Sequence, residues 1–152
     1  MTGKNWQFWL LSTCCSVVVA GVPCQAQRLL KPIAPQFTPD PQVYSGTTEG
    51  NAAIQNLVGE AKIAGNCQGL ASPNPSHLLT ITKAMSVLSL RVTAPSPITI
   101  LVRGKDGILC RSGVNPEIVG AWSEGKYEIW IGSVSGDRLN YRLSLSEARQ
   151  SP

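Results

Sequence analysis

The sequence predicts an all-β protein, an antiparallel and jelly-roll-like β-sandwich forming one domain, and three observations predict it. Short segments with apolar residues at every second position recur at spacings of about ten residues between His77 and Leu145, the period of half-buried strands. Clusters of Gly, Pro and Ser separate them, as turn chemistry requires in a sandwich or small barrel. An apolar N-terminal run followed by a Pro-rich stretch sets this domain apart from what precedes it.

Residues 1–26 carry one charge, Lys4, ahead of an apolar run from Trp6 to Val22 and small residues around Ala26. That is the three-part pattern of a secretory signal peptide, with cleavage expected after Ala26. A retained anchor fits less well, because Gln7, Ser12, Thr13 and Ser16 interrupt the run and no basic flank follows it. Lipidation at Cys24 is disfavoured by Pro23 directly before it. The expected location is therefore periplasmic or extracellular, with no stable membrane span after leader cleavage.

Of five cysteines, Cys14, Cys15 and Cys24 fall in the leader, which leaves Cys67 and Cys110 in the mature chain. An even pair in an exported domain predicts one disulfide. Closing a loop of that length stabilises a fold by roughly 4 kcal/mol through chain entropy, a large share of a typical net stability of about 5–15 kcal/mol.

The net charge of +4 falls to +3 with the loss of Lys4. Basic residues are scattered singly from Arg28 to Arg149, so the clustered footprint of a nucleic-acid binder is missing.

Residues 27–42 contain Pro32, Pro35, Pro39 and Pro41 and read as an extended linker, since proline excludes a helix or a central strand. The folded domain is expected over residues 43–147, with a tail over 148–152. From Val43 to Gly65 a short helix and a pair of edge strands compete, because Ala53, Leu57 and Ala61 fit helical spacing as well as alternation fits the rest. Ser72-Pro73-Asn74-Pro75-Ser76 is a rigid loop. Strands follow over His77–Thr82, Val87–Thr93 and Pro97–Arg103, the second with Ser89, Arg91 and Thr93 opposite its apolar face. Gly104-Lys105-Asp106-Gly107 turns the chain into Ile108-Leu109-Cys110. Glu117–Trp122 is next, and a closing hairpin is expected from Tyr127, Ile129 and Ile131 on one strand and Leu139, Tyr141, Leu143 and Leu145 on the other, with Ser133–Asp137 as its turn.

Gly125-Lys126-Tyr127-Glu128-Ile129-Trp130-Ile131-Gly132-Ser133, followed by Tyr141-Arg142-Leu143-Ser144-Leu145, resembles the bacterial pre-peptidase C-terminal domain carried by many secreted cyanobacterial proteins. Leu101-Val102-Arg103-Gly104-Lys105-Asp106-Gly107 is similar to the family's preceding strand and turn, and His77–Ile81 to the strand that opens its core. The likeness covers Gly65–Glu147 and implies an exported, non-catalytic jelly-roll-like sandwich of the kind appended to peptidases and other secreted enzymes. Where relatives often carry paired Asp residues that help bind calcium, this chain reads Arg111-Ser112-Gly113. With Asp40, Asp106 and Asp137 as its only aspartates, it is expected to hold no calcium, which takes about six to eight oxygen ligands.

Few constellations carry chemistry. His77 is the sole histidine, so a Ser-His-Asp triad would have to use it; it is expected instead as a strand-edge residue. Gly132-Ser133-Val134-Ser135-Gly136 has Val where a nucleophile elbow needs Ser. One His and two distant Cys do not make a zinc site, and no cofactor is expected. Glu117, Glu124 and Glu128 form a carboxylate pair only if the fold brings them together. Trp122, Trp130 and Arg142 are the candidate ligand-binding residues. Trp130 lies on the opposite face of its strand from Tyr127, Ile129 and Ile131, so it faces either solvent beside Arg142 or a second apolar layer. These features predict a non-catalytic binding or accessory module whose partner is an envelope or extracellular protein or polysaccharide. A small hydrolase or hydrolase inhibitor, and a structural envelope protein, are the alternatives.

Overall fold

The computed structural model describes residues 28–148; the expected leader and the tail beyond Ala148 lie outside them. Twelve strands are formed: β1 (Arg28–Leu29), β2 (Gln42–Thr47), β3 (Ala52–Ala53), β4 (Ala64–Gly65), β5 (Leu70–Ala71), β6 (His77–Ile81), β7 (Met85–Thr93), β8 (Ile98–Gly104), β9 (Gly107–Gly113), β10 (Glu117–Trp122), β11 (Gly125–Ser133) and β12 (Asn140–Ser146). One sheet runs β1-β6-β11-β8-β9-β4, with β5 paired to β11 and β3 to β5; the other runs β10-β7-β12-β2. They pack face to face as a sandwich.

The inner faces follow the sequence alternation. Leu79 and Ile81, Ile98, Ile100 and Val102, and Tyr127, Ile129 and Ile131 come from the first sheet. Leu88, Leu90 and Val92, Tyr141, Leu143 and Leu145, and Ile118 and Trp122 meet them from the second. The burial of these aliphatic and aromatic side chains is the main stabilising term, at about 1.5–3 kcal/mol for each fully buried aliphatic.

The expected closing hairpin is not one. Ser133 of β11 pairs with Ile98 in the first sheet, whereas Asn140 of β12 pairs with Thr47 in the second. The chain between them passes from sheet to sheet, with Gly136 at a φ of 84° in the left-handed region that glycine adopts without cost. Alternation is equally satisfied by two strands side by side or by two strands facing each other across a core, so the pattern could not distinguish them. From β6 to β12 only the β8–β9 connection stays within one sheet, and there Gly104 pairs with Gly107 across the expected turn.

The Pro-rich segment is a second correction: it is part of the domain, not a linker. β1 lies parallel to β6, Ile33 bridges to Ile81, and Leu30 and Ile33 are each 1% exposed in the main core. The amides of Leu30 and Ile33 donate to the carbonyls of Leu78 and Thr80 at 2.9 and 3.0 Å. Pro32 falls between these two donors, where no N–H is required. This is how an edge strand tolerates proline.

Residues 43–65 resolve into the edge strand β2, the two-residue strands β3 and β4, and a single 3-10 turn at Ile54–Asn56. β2 hides its strand character because Gln42 faces inward and Val43 outward, inverting the usual pattern.

Docking of the N-terminal segment leads to a specific expectation. Leu30→Ala should lower unfolding stability by about 2–5 kcal/mol, as for other core leucines, measured by urea denaturation of the protein. A loss below about 0.5 kcal/mol, the range for surface changes, would mean that the segment is not seated in the core.

Candidate functional site

The three residues singled out in the sequence do not form one patch. Trp122 is 4% exposed; its ring lies 5.0 Å from that of Tyr127 at 64°, and its Nε1–H donates to the carbonyl of Leu88 at 3.0 Å. A register shift between Gly120 and Trp122 accompanies this inward placement. Trp130 is 2% exposed, so of the two surroundings open to it the second apolar layer is the one it meets, and it does not serve as a surface ligand-binding residue. With Ile54, Val58, Ala71, Leu101 and Cys110 it forms a smaller core on the outer side of the first sheet. Its Nε1–H donates to the carbonyl of Pro73 at 3.3 Å, and the Arg103 guanidinium sits 5.1 Å from the ring centroid while pairing with Glu128 at 2.6 Å. The Cys67–Cys110 disulfide is formed and pins the covering segment to β9.

His77 is not at a strand edge in the exposed sense. It is 0% exposed, between the sheets, with Nε2 2.9 Å from the Tyr141 hydroxyl and the two rings at 89°. Tyr44 and Gln42 join this buried polar seam, the Tyr44 hydroxyl donating to Gln42 Oε1 at 2.7 Å. Gly46 covers the far side of Tyr141: a Cβ there would lie 2.3 Å from the tyrosine oxygen, so glycine permits the close approach. The seam links β6, β12 and β2 across the core, with the imidazole enclosed.

A second network ties the β8–β9 turn to β10 and β11. Asp106 accepts hydrogen bonds from the Ser123 amide at 2.8 Å and from the Ser123 and Tyr127 hydroxyls. Hydrogen bonding from the Ser123 side chain, then from Tyr127, holds the Asp106 carboxyl below its usual range, because each donor favours the charged form. Burial, then the hydrogen bond to Asp106, pushes the Tyr127 phenol well above its usual value. Both groups are fixed in the state they already hold at neutral pH, which suits a brace better than a proton relay.

The glutamates stay apart. Glu128 pairs with Arg103 on the first sheet, Glu117 accepts from the Ser89 hydroxyl on the second, and Glu124 is exposed in the β10–β11 turn. Among the described residues no group of three or more His, Cys, Asp or Glu side chains is placed to hold a metal ion, and no helix is long and apolar enough to cross a membrane.

Arg142 alone of the three candidates is exposed. It lies on the outer face of β12, opposite Thr93 of β7 and Ser45 of β2, and Asn140 lies opposite Thr47. These side chains, with Gly46, Ala94, Pro95 and Tyr141, line an open groove of about 560 Å3. The Thr47 hydroxyl donates to Asn140 Oδ1 at 3.0 Å, which leaves the Asn140 amide hydrogens as donors. No acidic residue lines the groove, whereas Arg91, further along the same face, stands opposite Glu117. A smaller cleft of about 370 Å3 at Thr48, Glu49, Gly136, Asp137 and Arg138 is closed on itself by the Arg138–Glu49 pair at 2.9 Å. Sequence reasoning placed Thr93 on the outer face of its strand but missed Ser45, Thr47 and Asn140. Only the pairing of β12 between β7 and β2 brings them together.

No family model matches the chain, and no solved structure matches it. Over 90 residues, 55% of the chain, it is 34% identical to an uncharacterized protein of Synechococcus elongatus. The chain spans 66% of that relative's length.

The burial of Trp130 can be tested by truncation. Trp130→Ala should cost about 3–5 kcal/mol, as expected for a large aromatic removed from a core, in chemical denaturation of the oxidised protein. An unchanged midpoint would return Trp130 to the surface as a binding residue.

Proposed function

We propose that the protein is a non-catalytic, exported β-sandwich that serves as a binding or accessory module, similar in role to the pre-peptidase C-terminal domains that its β6–β12 region resembles. The observation that carries this reading is the groove at Arg142, where an exposed guanidinium, three hydroxyls and an amide converge on the outer face of an otherwise closed sandwich. A few convergent polar groups at a concave surface are the usual basis of ligand recognition. Export is supported by the Cys67–Cys110 bridge, since disulfides persist in oxidising compartments. A binding role is favoured over hydrolysis because the sole histidine is enclosed between the sheets and Ser133 is 1% exposed, with its hydroxyl bonded to that of Ser135.

The module reading predicts where a ligand will be felt. In 15N-labelled mature protein titrated with fragmented envelope polysaccharide, amide shifts should cluster at Ser45–Thr47, Thr93 and Asn140–Arg142. Turnover of generic ester, peptide or glycoside substrates that disappears in His77→Gln would replace this reading with an enzyme.

A further inference from the structure

We infer that the Arg142 groove takes the carboxylate of an acidic polysaccharide, a chain of uronic-acid units, which deepens the binding-module reading above and rests on it. Charge, donor chemistry and shape lead to this ligand class.

The groove offers one cation. Arg142 stands opposite Ser45 and Thr93 and has no ion-pair partner among the described residues. A guanidinium left without an acid in a polar groove matches a carboxylate, which it can grip with two parallel N–H···O bonds. A dianionic phosphate would call for further cations or backbone amides at a helix N-terminus, and no other basic side chain lines the groove.

The neutral groups select for a hydroxylated partner. Ser45 and Thr93 each supply a hydroxyl that both donates and accepts, Thr47, whose proton is given to Asn140, supplies an acceptor, and Asn140 supplies amide donors. Sugar hydroxyls satisfy such groups, whereas aliphatic or aromatic peptide side chains would strand them. Stacking, the usual route to neutral sugars, is closed off: Trp122 and Trp130 are buried, and Tyr141, the one aromatic residue of the groove, is 4% exposed. Recognition here depends on charge and hydrogen bonds, so the ligand must carry its own charge.

Shape favours a polymer. The groove is open and lies across three strands of one sheet, so a chain can run through it with one unit's carboxylate on Arg142. Ala94 and Pro95 form one wall, at the connection from β7 to β8.

The test uses the oxidised mature protein and three hexamers: polygalacturonate, neutral galactan and poly-glutamate. Calorimetry and 15N shift mapping at about 0.15 M salt, where the Debye length is about 8 Å, should show the polygalacturonate hexamer bound at Ser45–Thr47, Thr93 and Asn140–Arg142. Arg142→Gln should weaken it at least tenfold, Arg142→Lys less, and Asn140→Ala several-fold, each with the wild-type fold by circular dichroism. Galactan binding equally well at the same residues would overturn the carboxylate assignment while leaving the module reading in place. Poly-glutamate binding more tightly than the uronate would overturn the glycan class. Shifts elsewhere, or none with any hexamer, would overturn both the inference and the groove as the site.

Discussion

Burial of β11 on both faces is the constraint on which the rest of the structure depends. Tyr127, Ile129 and Ile131 point into the core between the sheets, and Trp130 points out of it into the smaller cluster. An open sandwich would leave that indole in water, so the first sheet needs a cover. The chain from Ile54 to Pro73 supplies it with little regular structure: a 3-10 turn, the two-residue strands β4 and β5, and the Trp130–Pro73 hydrogen bond. Such a segment is costly to order, since each residue fixed loses about 1–2 kcal/mol of conformational freedom. The Cys67–Cys110 bridge shortens the search that this segment must make in the unfolded chain, a contribution of roughly 4 kcal/mol. The disulfide is therefore the tether of the layer that encloses Trp130, rather than a general reinforcement.

The same division explains where a ligand can be met. The first sheet is covered on its outer side by this layer, and the space beside β6 is filled by Leu30 and Ile33. The outer face of the second sheet keeps its polar residues. On β12 the inward set is Tyr141, Leu143 and Leu145, which leaves Asn140 and Arg142 to the other side. Because folding makes no use of Arg142, the groove can change its chemistry without disturbing the core, whereas the Tyr127–Asp106 and Tyr141–His77 contacts cannot.

How much of this was legible in the sequence depended on whether a feature is local. Alternation located β6 to β12 closely, since each strand buries a single face of the main core over its own residues. It failed where both faces are buried or where partners are distant. Trp130 reads as outward on β11 whether water or Ile54 and Val58 lie beyond it, and only the tertiary structure decides. The β11–β12 crossing was hidden because facing and pairing strands share one pattern. The Pro-rich run read as a linker, although an edge segment tolerates Pro32 between the donor amides of Leu30 and Ile33. The groove was half visible: Arg142 stood out as a charge on an apolar-alternating strand, but Ser45 and Thr47 lie in a stretch with no alternation at all.

Hydrogen exchange at Trp130 tests the two-sided burial most directly, because its indole proton is bonded to the Pro73 carbonyl beneath the covering segment. In the oxidised protein that proton, and the amides of Ile129 and Ile131, should exchange only as fast as global unfolding permits. After reduction of Cys67–Cys110 the indole proton should exchange faster, through release of the covering segment, while the two amides keep their protection relative to global stability. An indole proton that exchanges freely in the oxidised protein would contradict the account, since the first sheet would then be open on its outer side.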